Sequence, residues 1–509
     1  MSHRRLSARL TVAVLALLLA SCAPFQSSTS QSGQPPAGSH ASPTVAEAGR
    51  QLADAVDAES LRQTLTRIEQ LTVAADGNRG PGSRGYQATA EWIEAELEET
   101  GFYRVHRQDF TIQTDHPGDS FMVDGDGRVI NQRPLRFSAG TDGVSGAVVV
   151  PARGDGCRAS DWEAPLGGQI ALAERGGCTF TQLNAAAAEA GAAMVVVSNN
   201  VSAGLYGTLD RHRADAIPMT GITRAAGNQL GGRLADGEVR LSYFFDQHIN
   251  EYRTFNLFAE TTGGQTDNVV MAGAHLDGVP EGPGVNDNGS GSAVLLETAL
   301  RLAEVGQPAN KVRFAWWSGE ELGLLGSIHW VNGLVESDPQ AIASLAAYIN
   351  VDMVASPNHV IGVYDGDGSS FDETDLPQGS AELERRFTDY FDSIGQPWVD
   401  AEIGLSSDHY AFLSSGVPIG GLFTGAGGTK TADEEALFGG QAGRNHDPNY
   451  HQESDTLTNA NLAALAINGK AVAYVIGALA ADTTMVNGAR PGNQGTPTPA
   501  EEWGYAAAF

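Results

Sequence analysis

In the second half of the chain, acidic and imidazole side chains recur where apolar, β-rich runs stop. His275 and Asp277 close the run 269–274, and Asp287 lies in the glycine-rich loop Gly282-Pro-Gly-Val-Asn-Asp287-Asn-Gly-Ser-Gly291. Glu320 and Glu321 follow the run 312–317, and Asp352 ends Tyr348-Ile-Asn-Val-Asp352. If the runs are strands of one open sheet, these side chains share the rim where such sheets bind ligands. Carboxylates at that range raise one another's pKa unless a cation sits among them. Imidazole and carboxylate ligands without a thiolate suit zinc or a related divalent ion, in a site left open for catalysis. A pair of ions needs a bridging carboxylate and further ligands on each side. The candidates are His275, Asp287, Glu321, Asp352 and a second histidine. That histidine is best placed at His451, in Tyr450-His451-Gln-Glu-Ser-Asp-Thr456, with His446 as the local competitor.

The elements that must position these residues follow from periodicity. From about residue 255 the pattern alternates: strand 268–274, helix 290–303, strand 311–317, helix 321–334, strand 346–352. That alternation predicts an α/β fold, a mainly parallel sheet flanked by helices. Glu320 and Glu321 would then open a helix and, as adjacent positions about 100° apart, do different jobs. Upstream, apolar residues at helical spacing (Leu52, Val56, Leu61, Leu65, Ile68, Leu71, then Ala90, Ile93, Leu97) predict two helices joined by the loop 76–85, before a strand over 102–112. Short β-rich runs follow at 146–150 and 169–173. The Gly-, Pro- and Thr-rich tail after Val486 is expected to be disordered. There is no internal repeat.

Composition narrows the function classes. With 41% hydrophobic and 18% charged residues in 509, the chain is too apolar to be disordered and long enough for two or three domains. Lys and Arg total 31 against 61 Asp and Glu, a net charge of −30, which argues against nucleic acid or an anionic membrane surface as partner. Arg4, Arg5 and Arg9 precede an apolar stretch at 11–20 too short to span a bilayer, as in a signal peptide over 1–21. Leu19-Ala20-Ser21-Cys22 resembles a bacterial lipobox, which makes Cys22 the expected lipidation site and first mature residue; an ordinary secretory signal is the blander reading. Loss of the three arginines takes the mature charge to −33. The polar, Pro-rich stretch 22–44 suits a flexible tether to a membrane outer face, with the lipid as the sole membrane contact.

Two resemblances complete the reading. The middle of the chain, over about 137–245, resembles the protease-associated (PA) domain, on Gly167-Gly-Gln-Ile-Ala-Leu-Ala-Glu-Arg-Gly-Gly-Cys178, the Ala-rich helix after it, and Ile217-Pro-Met-Thr-Gly-Ile222. Cys157 and Cys178 fall inside it and, in an exported protein, are expected to be bridged rather than two free buried thiols. The remainder resembles the cocatalytic zinc aminopeptidases of metallopeptidase family twenty-eight. The matching runs are His275-Leu-Asp277, the 282–291 loop, Trp316-Trp-Ser-Gly-Glu320-Glu321-Leu-Gly, Asn350-Val-Asp352-Met, Ser407-Asp-His-Tyr-Ala-Phe412 and Tyr450-His451, with Asn78-Arg-Gly-Pro-Gly82 upstream.

This resemblance implies two zinc ions per chain. His275 and Asp352 would hold one, Glu321 and His451 the other, and Asp287 would bridge them. Glu320 would be the general base, Tyr450 a donor to the oxyanion, and Asp277 would steer the His275 imidazole. Secreted relatives often flank the Tyr-His pair with cysteines, whereas this chain has Asn449 and Ser454 there, so something else must hold that loop. Singly, an acidic pair at a helix start or a lone loop histidine would mean little. The 282–291 loop lacks the lysine of a phosphate loop, and neither G-x-S-x-G nor H-E-x-x-H occurs. His329, His359 and His409 read as structural, with His409 a possible pocket wall.

The expected domains are a signal peptide (1–21), a tether (22–44), the N-terminal segment of the peptidase domain (45–125), the PA insertion (126–248), the main peptidase segment (249–485) and a tail (486–509). The expected function is an exported, lipid-anchored aminopeptidase acting on peptides with a free N-terminus, with a monomer favoured. Three alternatives share the fold: a one-zinc glutaminyl cyclase, a carboxypeptidase, whose cationic carboxylate clamp the sequence does not place (Arg444 is the only basic residue near the Tyr450 loop), and a non-catalytic receptor-like protein.

Overall fold

A computed structural model describes residues 44–371, 376–488, 491–493 and 495–500. The signal peptide, Cys22 and nearly all of the tether lie outside the described residues.

Helix formation begins at Thr44, whose side chain and Glu47 form a reciprocal cap for Val45–Ala55. Three helices fill 45–99 where two were expected. Asp57 interrupts the first by accepting the amides of Glu59 and Ser60, which starts Ala58–Ala74 afresh. The third helix is Arg84–Glu99. The strand expected over 102–112 runs on to Asp124, because Tyr103–Asp124 pairs antiparallel along Arg240–Thr261, each 22 residues long. At about 3.3 Å per residue this ribbon has a contour length near 70 Å. One end joins the main sheet, where Leu257–Glu260 pairs with Arg313–Trp316; the other pairs with Thr141–Val149 of the inserted module. The boundary expected at 248/249 therefore falls within a continuous strand.

The half of the sheet that carries the candidate site meets the expectation of a mainly parallel α/β fold. Gln265–His275 is parallel to both Asn310–Trp317 and Leu345–Val351, and Leu345–Val351 is parallel to Ile419–Phe423. Val270, Ala272 and Ala274 face the helices Gly291–Val305 and Leu462–Ala481, while Val269 and Met271 face Leu325–Ser337 and His409–Ser414. Both faces are covered, which explains why these strands read as unbroken apolar runs. Leu462–Ala481 is apolar and long enough to cross a membrane, with mean hydropathy 1.7, but 72% of that stretch is buried and it is the core helix of this layer. In the module, Thr141–Val149, Ile170–Glu174, Met194–Ser198 and Met219–Ile222 form a parallel sheet with helices Phe180–Glu189 and Arg224–Asp236.

Two further expectations are corrected. The helix after Glu321 begins only at Leu325, since Gly319 to Leu324 form a turn with Leu324 in the left-handed region. The tail is ordered where described: Asn493 donates to the carbonyls of Ile342 and Leu345, and Ala500 exchanges hydrogen bonds with Asn332. Its Asn and main-chain groups satisfy carbonyls at an otherwise open strand end, which composition does not reveal.

Candidate metal centre

The parallel strands Gln265–His275, Asn310–Trp317 and Leu345–Val351 deliver their C-terminal residues to one rim. Register sets His275 opposite Trp317 and Gly273 opposite Asn350, so the turn after Trp317 and the residue after Val351 both flank His275. The loop 282–291 brings Asp287 beneath them, and His451 arrives from the loop before helix Leu462–Ala481. Two groups of potential ligands result, His275–Asp287–Asp352 and Asp287–Glu321–His451, the ligand atoms of each within 4.8 Å of one another. Asp287 belongs to both. Its Oδ1 lies 3.3 Å from His275 Nε2 and its Oδ2 3.2 Å from His451 Nε2. Asp352 Oδ1 is 3.3 Å from His275 Nε2, and Glu321 Oε2 is 3.1 Å from His451 Nε2.

Electrostatics describe a cluster that calls for positive charge. Burial lowers the pKa of His451, yet hydrogen bonds to Asp287 and Glu321 outweigh it and carry the group up to about 10. His275 is likewise raised, burial being overcome by Asp352 and Glu320. Burial, then the Asp287 charge, push Glu321 up to about 7, and its Oε1 is buried without a hydrogen-bond partner among the described residues. Asp287 goes the other way: burial is outweighed by its hydrogen bonds from His275 and His451, which hold it below the carboxylate range. An orphaned carboxylate oxygen, two imidazoles and one carboxylate facing both histidines form a donor set that fits two divalent ions of the zinc type.

Glu320 is largely but not fully buried, with Oε2 3.9 Å from His275 Nε2, and partial desolvation followed by the Asp352 and Glu321 charges raises its pKa; the His275 charge opposes them. It belongs to neither ligand group. Tyr450 stacks on His451 with ring centroids 3.8 Å apart, and burial together with the Asp287 and Glu321 charges keeps its hydroxyl protonated. Asp277 plays a double part. Its main-chain carbonyl lies 3.1 Å and its carboxylate Oδ1 3.8 Å from His275 Nδ1, while the carboxylate also accepts the amides of Glu320 and Glu321 at 3.2 and 3.3 Å. It orients the histidine and the Glu-Glu turn together.

The supporting residues answer what holds the Tyr450 loop. Asp455 accepts the amides of Asn286 and Asp287 at 2.8 and 3.0 Å, and Asp447 accepts from the Asn286 side chain at 2.6 Å. Two buried carboxylates thus clamp the His451 loop to the Asp287 loop. His451 sits in the left-handed region at φ 58°, a strained setting for a non-glycine residue that such a clamp can hold. Arg79 is fully buried and donates to the carbonyls of Leu276, Pro283 and Gly284, bracing the loop beneath Asp287. Ser407 donates to Asp352 Oδ2 at 2.7 Å. Arg79, Ser407 and Asp455 stand inside the quoted motifs, so their positions were visible, but their partners are loops remote in sequence.

The other residues singled out lie elsewhere. His446 pairs with Glu434 at 3.3 Å, His359 meets Asn461, His409 meets the Gly404 carbonyl, His329 stacks on Phe110, and Arg444 is exposed. Cys157 and Cys178 are bridged. A separate acidic group, Asp365, Asp367 and Glu384, surrounds a loop whose amides (Ser369, Ser370, Phe371) already occupy Asp365.

Comparison with known proteins agrees with this geometry. The profile of Peptidase family M28 matches residues 256–476, and that of the PA domain residues 144–230. The chain is 38% identical to "Probable lipoprotein aminopeptidase LpqL" of Mycobacterium tuberculosis over 456 residues, covering 88% of this chain and 89% of that one. It is also 38% identical over 420 residues to "Leucine aminopeptidase 2" of Trichophyton rubrum, covering 82% and 83%. Among solved structures, an aminopeptidase from Aneurinibacillus sp. strain AM-1 superposes with a TM-score of 0.50 at 22% identity, over 89% of this chain and 98% of that one, a likeness of fold.

Proposed function

The chain belongs to Peptidase family M28 and carries a PA domain, and from that premise we propose that it is an exported, lipid-anchored aminopeptidase using two zinc ions. The observation that carries this reading is Asp287, whose two oxygens each face a different histidine. In it, His275 and Asp352 would hold one ion, Glu321 and His451 the other, and Asp287 would contribute to both. When bound, the ions supply a water of lowered pKa and a polarised scissile carbonyl.

The chain's own residues do the rest. Glu320, in neither ligand group and with its side chain partly accessible, takes the proton from the water that adds to the carbonyl and passes it to the departing amine, so that peptide plus water gives an amino acid and a shortened peptide. Tyr450 donates from its hydroxyl to the developing oxyanion. The surplus of carboxylates receives the free α-ammonium of the substrate. Cys22 anchors the mature protein through the 22–44 tether, and the module spans 126–248 apart from its shared ribbon.

The test is hydrolysis of leucyl peptides that are N-terminally free, N-acetylated or C-terminally amidated, alongside metal analysis. Release of leucine from free and amidated peptides but not acetylated ones, with about two zinc ions per chain, is expected. Cleavage from the C-terminus, or one ion in the fully active protein, would refute it.

A further inference from the structure

A cleft of about 970 Å³ opens between the inserted module and the turn that follows Glu321, and none of the proposed ligands lines it. Its floor is the ribbon segment around Ile112 and Gln113, one wall is formed by Leu322, Leu325 and His329, and the other by Arg136 and the module loop 208–213. The catalytic turn reaches this floor directly. Gly319 lies against Ile112 so closely that a Cβ there would come within 2.4 Å of its Cδ1. Glu320 is thus one residue from the floor, and Leu322 is one residue beyond Glu321.

That placement gives the cleft a direction relative to the chemistry. A base that returns a proton to the leaving amine must sit beside that amine, so the departing segment starts at the Glu320 turn. The substrate's N-terminal residue is held on the other side, at the carboxylates. Leu322 and Leu325, just beyond Glu321, line this cleft, which gives the rest of the peptide open space on that side.

Charge indicates what the cleft reads. Arg136 pairs with Asp115 at 2.9 Å and Arg213 with Asp215 at 2.8 Å, but Arg211 has no ion-pair partner among the described residues and is exposed to the cleft. The amide next to it, of His212, donates to Gln113 Oε1 at 3.0 Å, which fixes the Arg211 loop on the ribbon beside Ile112. Of the acids in the lining, Asp210 accepts from Thr181, and Asp109 stands four residues from Gln113, about 13 Å along the strand. In a chain of net charge −30, an unpaired arginine facing a cleft is a local exception.

We propose that this cleft holds the departing segment of the peptide substrate and that Arg211 binds a carboxylate on that segment, within a few residues of the scissile bond. The inference rests on the aminopeptidase reading above. The carboxylate is either the C-terminus of a short peptide or an acidic side chain of a longer one.

The experiment uses the full-length, zinc-loaded protein and leucyl-oligoalanine peptides of increasing length, each as free acid and as amide. A longer amidated series carries Glu or Gln at successive positions. Rates are expressed relative to leucine anilide, whose leaving group carries no carboxylate. At one or two lengths the acid should be preferred by about three- to tenfold, chiefly through KM, and less so at high salt. A preference confined to short free acids identifies the C-terminus as ligand, and one for Glu over Gln in the amidated series identifies a side chain. Arg211→Gln should abolish the preference and Arg211→Lys retain part of it, with the amides reporting any loss from misfolding. Equal turnover of acid and amide at every length, with Glu equal to Gln, would overturn the proposal. So would an Arg211→Gln variant that slows acids and amides alike. Failure of the wild-type protein to hydrolyse leucine anilide or any of the peptides would instead overturn the aminopeptidase reading, and this inference with it.

Discussion

Replacing Asp455 with alanine tests the idea that a carboxylate clamp holds the centre together. Asp455 is 3% exposed, and its two oxygens accept the amides of Asn286 and Asp287 at 2.8 and 3.0 Å. Alanine leaves both amides buried and unsatisfied. At about 1–3 kcal/mol for each orphaned donor, the cost is about 2–6 kcal/mol. An asparagine side chain at the same position keeps one acceptor oxygen, so Asp455→Asn should cost about half as much. Because the freed loop carries Asp287, which faces both histidines, the loss should extend to ion affinity, by about 10- to 100-fold as for other groups that support metal ligands. Thermal unfolding, with zinc retention measured during dialysis against a calibrated chelator, reads both effects. The expected order is wild type, then Asp455→Asn, then Asp455→Ala, in stability and in zinc retention alike. An alanine variant that melts within about a degree of wild type and retains both ions would refute the clamp and leave the Tyr450 loop without an explanation.

Other outcomes follow from the same geometry. Glu320→Gln should slow hydrolysis by about 10²- to 10⁴-fold while zinc content stays near two per chain, whereas Glu321→Gln should lose zinc and activity together; the reverse pattern would exchange their roles. Glu384 is held up at about 7, first by burial and then by the Asp367, Asp400 and Asp365 charges. Its folded pKa lies above the unfolded value, so its stabilising contribution is complete below about pH 4.5 and disappears as pH rises through 7. Glu384→Gln should therefore gain in melting temperature relative to wild type between pH 5 and pH 8, and a difference independent of pH would contradict this. Cys22→Ala should release the protein from the membrane fraction or leave it unprocessed; unchanged membrane retention would remove the lipid-anchor reading.

Much of the candidate centre was legible in the sequence because its chemistry is tied to local pattern. A strand read as an apolar run ends at a definite residue, and parallel strands must end on the same rim, so His275, the Glu320–Glu321 pair and Asp352 were bound to be neighbours once the alternation was recognised. Glycines at 282–291 marked a loop for the same reason. Periodicity did not reveal how loops meet one another. The Asp455 and Asp447 carboxylates bind main-chain and side-chain groups more than 150 positions away in sequence, and the Asp277 carboxylate serves the Glu-Glu turn as well as the imidazole. Nothing in a residue's type says which distant amide it will satisfy. The ribbon's full length, the docking of the tail and the meeting of the Arg211 loop with the catalytic turn were likewise decided only by tertiary structure. Each depends on backbone groups seeking partners across the fold, whereas the ligands themselves depend on side-chain chemistry carried at strand ends.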